Sequence, residues 1–283
     1  MITSTRIGRY GNLCNSMFQY AAVVAMAKKT GLEYCIPQNE TYYEPNYGCN
    51  NTSIWDGFKI KSSVLPTIET SAPNHEHLVP KFNEVEFPFE YKDIQVDDFT
   101  DMKGFFQSEK YFENANNEVM GSFGFKDDLL KDLRKKFKSG HYPSPRECTS
   151  LHIRLGDYTH KRAYHPAQPA SYWKQAVDEA ALDYIVVFSD DIEQAKRMFK
   201  GDKRVIYSEE QCPFAALYHM SRCRNHIICN STFGWWGAKL GEWYNEDDNW
   251  APVDKTIVAP KIWFGPAHDF SSEDIIPNRW IKL

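Results

Sequence analysis

From Ser150 to Ala259 the sequence alternates short apolar, β-prone runs with helix-compatible segments. The strands expected are Ser150 to Ile153, Tyr184 to Phe188, Val205 to Tyr207, His226 to Cys229 and Thr256 to Ala259. Helices are expected between them at Pro169 to Ala181, Ile192 to Lys200, Phe214 to Arg222 and Phe233 to Leu240. Strands separated by helices build a parallel sheet covered on both faces. Ligands of such sheets bind outside the carboxyl ends of the strands. Three loops fall on that edge: Arg154-Leu155-Gly156-Asp157, Ser189-Asp190-Asp191 and Asn230-Ser231-Thr232.

The third loop is the sharpest of the three. In Cys223 to Leu240, CRNHIICNSTFGWWGAKL, a buried strand meets a polar corner and then a helix start. Asn, Ser and Thr cap helix N-termini because their side-chain oxygens accept from N–H groups that the helix leaves unpaired. Free donors and the positive end of the helix dipole then point to one place, where an anion sits. This corner reads as the seat of a phosphorylated donor, against the plain alternative of one more αβ turn that binds nothing. Arg154 adds a fixed charge and a planar fork that matches phosphate oxygens, or else it pairs with Asp157. Asp157 itself is expected to hold Arg154, to contact the nucleotide or to act as general base, in that order. His152 lies two residues before Arg154 and so shares its strand face; it either touches a nucleoside or is a buried structural histidine. Asp190 and Asp191 admit a divalent ion on paired carboxylates, but the helix that follows favours an N-cap role. Trp235 and Trp236 read as core, residues 245–249 as a solvated loop, and His160 and His165 have no ligand partner at helical spacing.

The first half is less regular. Ile2 to Ile7 suggests a strand, Gly8-Arg9-Tyr10-Gly11-Asn12 a glycine turn, and the run from Asn15 or Ser16 to Lys29 a helix capped by Ser16 and stopped by Gly31. A strand, a glycine loop and a helix bring backbone close to a phosphate or sugar, although a tight βα turn looks the same. The spacing matches neither G-x-G-x-x-G nor the P-loop. Glu33 to Pro37 suggests a strand, 39–77 loops with short elements, Gly104 to Phe112 a strand then a helix, and Asp127 to Lys138 a helix. Ser139 to Thr149, with Gly, Ser and two prolines, is the expected linker between domains 1–145 and 146–283.

Among 283 residues, 42% are hydrophobic and 25% charged, as in globular proteins, and the net charge of -5 argues against nucleic acid as a partner. The N-terminus shows no apolar signal core, and Met17 to Ala27 is too short to span a bilayer, so a cytoplasmic location without a membrane span is expected. Seven cysteines without a Cys-x-x-Cys pair are expected to be free and mostly buried.

Several segments together resemble the α-1,2-fucosyltransferases of glycosyltransferase family 11. GRYGN (8–12) with MFQYA (17–21), FFQSEKYF (105–112), HIRLGDY (152–158), VFSDD (187–191), HIICNSTFGWWGAKL (226–240), VAPKIWF (258–264) and IPNRWIKL (276–283) follow the family's order. The resemblance implies a GT-B fold, two facing Rossmann-like domains with parallel sheets. It implies inverting transfer of L-fucose from GDP-fucose, without a metal or other cofactor, to the 2-hydroxyl of a β-galactoside. The first domain would take the glycan acceptor and the second the GDP-sugar. Arg154 and Asp157 would be catalytic. Gly11, Asn12, His152, Arg154, Asn230, Ser231, Thr232 and Phe233 would bind the donor, with Arg9, Glu109 and Asp190 as further donor or acceptor contacts. Three positions depart from the pattern. Leu155 replaces the second arginine of HxRRGDY, four residues, LCNS, separate Asn12 from Met17 where the α-1,2 enzymes have a shorter connection, and Ala216 replaces an aspartate that grips guanosine. The first two are also features of protein O-fucosyltransferases. The departures leave room for another GDP-deoxysugar, a non-galactose acceptor or an inactive binding module.

Overall fold

The computed structural model of the chain describes residues 1–37, 52–65, 82–138, 142–156, 158, 160, 162–243, 254–268 and 270–283. Asp157, the 245–249 loop, Cys49 and most of the 39–77 stretch lie outside the described residues. The chain separates into two compact units, Met1–Lys126 and Asp127–Leu283.

In the first unit, β1 (Ile2–Thr3), β4 (Asn83–Glu86) and β5 (Thr100–Lys103) form a parallel sheet in the order β1-β5-β4. β2 (Cys35–Pro37) and β3 (Ser63–Leu65) pair separately, also in parallel. Helix α1 (Leu13–Thr30) is the apolar centre of the unit, buried from Leu13 to Ala27 except Asn15. It starts three residues earlier than Ser16, the expected cap. Asn12 takes the cap position, with its carbonyl accepting from Asn15 and Ser16. Ser16 instead turns its hydroxyl back to accept from Gly8 N–H at 3.0 Å, so it fixes the glycine loop. Gly31 ends α1 in the left-handed conformation at φ 72°, as expected. Aromatic rings wrap the helix, with Phe18 on Phe112 and Tyr20 on Phe123. Phe123 in turn meets Phe58, on the residue that follows the short helix α2 (Ile54–Gly57). The segment 104–112 forms no strand; a 3-10 turn covers Glu109–Tyr111, and helix α3 (Asn116–Ser122) follows.

The second unit opens with α4 (Asp127–Lys138). This helix packs on α7 (Pro213–Arg222), so the compact units divide before α4 rather than at 145/146, because a helix belongs with the core it covers. The sheet has six parallel strands in the order β11-β10-β9-β6-β7-β8. They are β6 (Cys148–Ile153), β7 (Tyr184–Ser189), β8 (Val205–Tyr207), β9 (Asn225–Ile228), β10 (Ile257–Ala259) and β11 (Ile281–Lys282). Central β6 pairs with β7 on one side and β9 on the other, bringing Ile153 beside Ser189 and His152 beside Ile228. Alternation assigns its side chains to two cores. Leu151, Ile153, Ile185, Val187 and Ile227 pack with Tyr172 and Trp173 of α5 (Ala170–Ala180). Cys148, Val186 and Phe188 pack with Ala216 and Met220 of α7. On the same face as Cys148, a buried Ser150 hydroxyl and His226 Nδ1 satisfy one another at 2.7 Å. Helix α6 (Ile192–Met198) packs on β7, and α8 (Thr232–Trp243) packs on α7 and β9. Trp235 and Trp236 of α8 are fully buried, which makes them core residues. The edge strand β11 is formed by the closing residues, through Val258↔Ile281 and Ala259↔Lys282. Cys14, Cys35, Cys148, Cys223 and Cys229 are free and buried, and Cys212 is free and exposed.

Candidate functional site

The carboxyl edge of the second unit's sheet gathers the loops after β6, β7 and β9. Arg154 follows β6 directly. Its Nε contacts Asp190 Oδ2 at 3.2 Å; the alternative pairing with Asp157 lies outside the described residues. Asp190 also accepts from two backbone donors of the same loop, Leu155 N–H at 2.8 Å and Gly156 N–H at 3.0 Å. Asp191 does separate work: its carboxylate caps α6 by accepting from Gln194 N–H at 2.9 Å. The two aspartates therefore face different donors, and no group of three potential metal ligands occurs among the described residues.

Leu155, where the family pattern has arginine, is 4% exposed and sits in the core with Ile153 and Val187. An arginine with this orientation would bury its charge among apolar side chains, at a cost only a partner could offset. Burial and the neighbouring Arg154 charge lower the His152 pKa to about 3, so its imidazole is neutral at physiological pH. Its ring lies 5.4 Å from that of Phe233, and Nδ1 meets the Cys229 thiol at 3.5 Å. Such a histidine offers a neutral hydrogen-bonding edge and no ionic contact. Burial raises the Cys229 thiol to about 12, so it remains protonated.

The polar corner divides its work. Asn230 is 1% exposed, and its amide is bonded at both ends. Its Oδ1 accepts from Gln168 Nε2 at 3.0 Å and its Nδ2 donates to the Trp263 carbonyl at 2.9 Å. The Asn230 carbonyl accepts from Tyr158 OH at 2.9 Å. Asn230 thus builds the corner with its side-chain amide and its carbonyl. Ser231 precedes the first helical residue, and its hydroxyl accepts from Phe233 N–H at 3.4 Å. Thr232 and Phe233, in the first turn of α8, are half-buried. Tyr158 links corner to loop, since the Arg154 guanidinium lies 6.0 Å from its ring centroid, within cation–π range. Sequence reasoning passed over Tyr158 and Gln168. Tyr158 closes the HIRLGDY motif and was legible there, but nothing local marks Gln168.

In the first unit, Gly11 adopts φ 81°, and a Cβ there would lie 1.9 Å from the Asn15 side chain. Asn15 in turn accepts from Gln107 Nε2 at 2.9 Å, tying the start of α1 to the FFQSEKYF segment. Asn12 is exposed. Arg9 donates its backbone N–H to Arg6 O within the same loop, and Glu109 opens the 3-10 turn. Arg9, Gly11, Asn12 and Glu109 therefore belong to one unit, and His152, Arg154, Asp190 and the Asn230–Phe233 corner to the other.

Known structures share this architecture. The fucosyltransferase NodZ from Bradyrhizobium superposes with a TM-score of 0.52 at 10% identity, over 84% of this chain and 92% of that one. POFUT1 in complex with GDP-fucose does so with a TM-score of 0.51 at 12% identity, over 90% and 96%. At such identity the likeness concerns fold, and it places the parallel-sheet α/β architecture in the GT-B class. In sequence, the O-antigen biosynthesis glycosyltransferase WbnK of Escherichia coli is 26% identical, across 96% of this chain and 98% of the relative. An alpha-1,2-colitosyltransferase of Escherichia coli is 24% identical over 96% of both. Galactoside alpha-(1,2)-fucosyltransferase 1 of Leontopithecus chrysomelas is 26% identical over 82% of this chain and 63% of its own length. The family model of glycosyl transferase family 11 matches residues 2–245, from β1 through α8, and the chain belongs to that family.

Proposed function

We propose that the chain is an inverting, metal-independent transferase that moves L-fucose from GDP-fucose to a glycan hydroxyl, with the 2-hydroxyl of a β-galactoside as the leading acceptor. The observation that carries this reading is Arg154, held at the carboxyl end of β6 in the same cluster as the start of α8. Glycosyl transfer passes through an oxocarbenium-like transition state. Its main electrostatic demand is the negative charge growing on the departing diphosphate. A fixed guanidinium and the positive N-terminal end of α8 at Thr232 meet that demand without a metal ion, because both are oriented before the reaction starts. The neutral His152 edge suits a nucleoside contact. The acceptor oxygen attacks the anomeric carbon from the side opposite the diphosphate, which inverts the centre, and a base takes its proton. Asp157, outside the described residues, is the candidate base. On the family resemblance domain 1–145 takes the acceptor, Gly11 and Asn12 reach the donor from that domain, and Arg9 and Glu109 are further donor or acceptor contacts.

A second donor is favoured by one comparison. The colitosyltransferase relative matches as much of the chain as the O-antigen glycosyltransferase does. Another GDP-deoxysugar is therefore the runner-up.

GDP release from a panel of GDP-sugars, measured in EDTA with and without β-galactosides, tests the proposal. Release from GDP-fucose that rises with a β-galactoside, and a product with an α-1,2 linkage by NMR, is the expected result. A strict requirement for a divalent ion overturns the metal-free reading. Faster turnover of a different GDP-deoxysugar replaces fucose as the donor.

A further inference from the structure

We propose that Asp190 is a positioning residue for transfer: it fixes the Arg154–Gly156 loop and orients the Arg154 guanidinium that stabilises the leaving diphosphate. The inference rests on reading Arg154 as the diphosphate arginine.

Asp190 follows β7, whose last residue, Ser189, pairs with Ile153 at the end of β6. Its carboxylate thus stands beside the chain as that chain leaves the sheet. Three consecutive residues converge on it. Leu155 N–H reaches Oδ1 at 2.8 Å, Gly156 N–H reaches Oδ2 at 3.0 Å, and Arg154 Nε reaches Oδ2 at 3.2 Å. Only a carboxylate offers acceptors at both ends to two backbone donors. An asparagine would present an NH2 group to one of them.

Gly156 shows how closely the carboxylate is seated. A Cβ at 156 would lie 2.5 Å from Asp190 Oδ2, so the aspartate occupies the space of the missing side chain. On the other side of the loop, Leu155 is buried in the core. The backbone is therefore gripped from below by an apolar side chain and from its donor side by a carboxylate. Arg154 lies between these grips, with a side chain 30% exposed against 25% for Asp190. An ion pair that exposed contributes little when both partners must be immobilised to form it. Here the two backbone donors have already fixed the carboxylate, so pairing with Nε orders the guanidinium alone. Preorganised charge of this kind acts on the transition state more than on substrate binding.

The test is a double-mutant cycle of Asp190→Asn and Arg154→Ala in the full chain, read by kcat and KM for GDP-fucose, by GDP affinity and by melting temperature. Arg154→Ala is expected to lower kcat/KM by about 10³-fold, and Asp190→Asn to lower kcat by about 10²-fold with a smaller change in KM. GDP affinity should fall in each single variant, and Asp190→Asn should add less than about threefold once Arg154 is gone, because its effect runs through that side chain. Gly156→Ala is the second variant. It keeps both charges and displaces the carboxylate, and should reproduce the loss in kcat. Wild-type turnover and GDP affinity in Arg154→Ala would refute the diphosphate assignment. If Arg154→Ala shows its expected loss but the two losses multiply in the double variant, or Gly156→Ala keeps full kcat, the positioning role is overturned and the Arg154 assignment stands.

Discussion

The two compact units solve one packing problem in opposite ways. Both use parallel strands, which must be covered on their faces. The second unit places its apolar residues on the strands: β6 is buried at every position, and β7 reads Tyr-Ile-Val-Val-Phe-Ser. The first unit places them on a helix. β4, Asn-Glu-Val-Glu, is mostly exposed, β5 is Thr-Asp-Met-Lys, and α1 is buried around nearly its whole circumference within a shell of aromatic rings. The loops differ in the same sense. In the second unit, carboxylate and amide side chains from distant elements tie down the strand ends, as Asp190 and Asn230 do. In the first, the glycine loop is held by residues of the helix it leads into, Ser16 at Gly8 and Gln19 at the Tyr10 carbonyl. A region with apolar strands announces itself in sequence, whereas one whose strands are polar and short shows only its helix.

Core truncation tests that contrast most strongly. Trp235→Ala in the second unit and Phe18→Ala in the first are each expected to cost about 3–5 kcal/mol, since both side chains are fully buried. Hydrogen exchange should place the loss in α8 and its sheet for the first variant and in α1 for the second. A loss spread evenly through the chain in both cases would break the comparison.

Acid should separate the units next. The second unit buries His152 and His226 with pKa values pushed down by burial, to about 3 for His152. The first has no histidine among its described residues. Above pH 6.5 these imidazoles are neutral in both folded and unfolded chains and do not affect the balance. As pH falls below that value the unfolded chain takes up protons that the folded core refuses, so stability falls toward pH 3. At pH 5 the penalty is about 2 kcal/mol for His152, and His226 adds to it in the same direction. Exchange in β6 and β9 should therefore accelerate between pH 7 and 5 while α1 is unchanged; equal acceleration would remove the distinction.

The smallest effect concerns the loop glycine Gly11. Gly11→Ala meets both a left-handed φ and the Asn15 side chain, so a loss of about 1–2 kcal/mol is expected. Adding Asn15→Ala should recover only part of it, because the backbone strain is left. Full recovery in the melting temperature of the double variant would mean that the side-chain collision was the whole cost.

The alternation after Ser150 made the second sheet legible, because each strand there is an apolar run bounded by polar loops. Strand β5 escaped notice since its buried Asp101 looks like a loop residue; only the fold supplies Thr5, whose N–H and hydroxyl satisfy that carboxylate at 2.9 and 2.7 Å. Strand β11 escaped because Ile281–Lys282 is too short to carry a period and becomes a strand only by pairing with β10. The start of α1 was misplaced because Ser16 is as good a cap by residue type as Asn12, whereas the tertiary structure uses its hydroxyl for Gly8.

By itself the sequence determined the family, the parallel sheet, and the three loops that meet at its edge, since motif order and apolar periodicity are local properties of the chain. Tertiary structure alone decided what those loop residues do. Whether Asp190 caps a helix, holds a metal or grips Arg154 depends on which donors lie within 3 Å of it, and the donors that do come from residues more than thirty positions away. The same holds for Asn230, whose partners Gln168 and Trp263 reach it from two different loops. Hydrogen bonding is short-ranged and directional, so residue type sets what a polar side chain can accept or donate, and the fold sets which partner it finds.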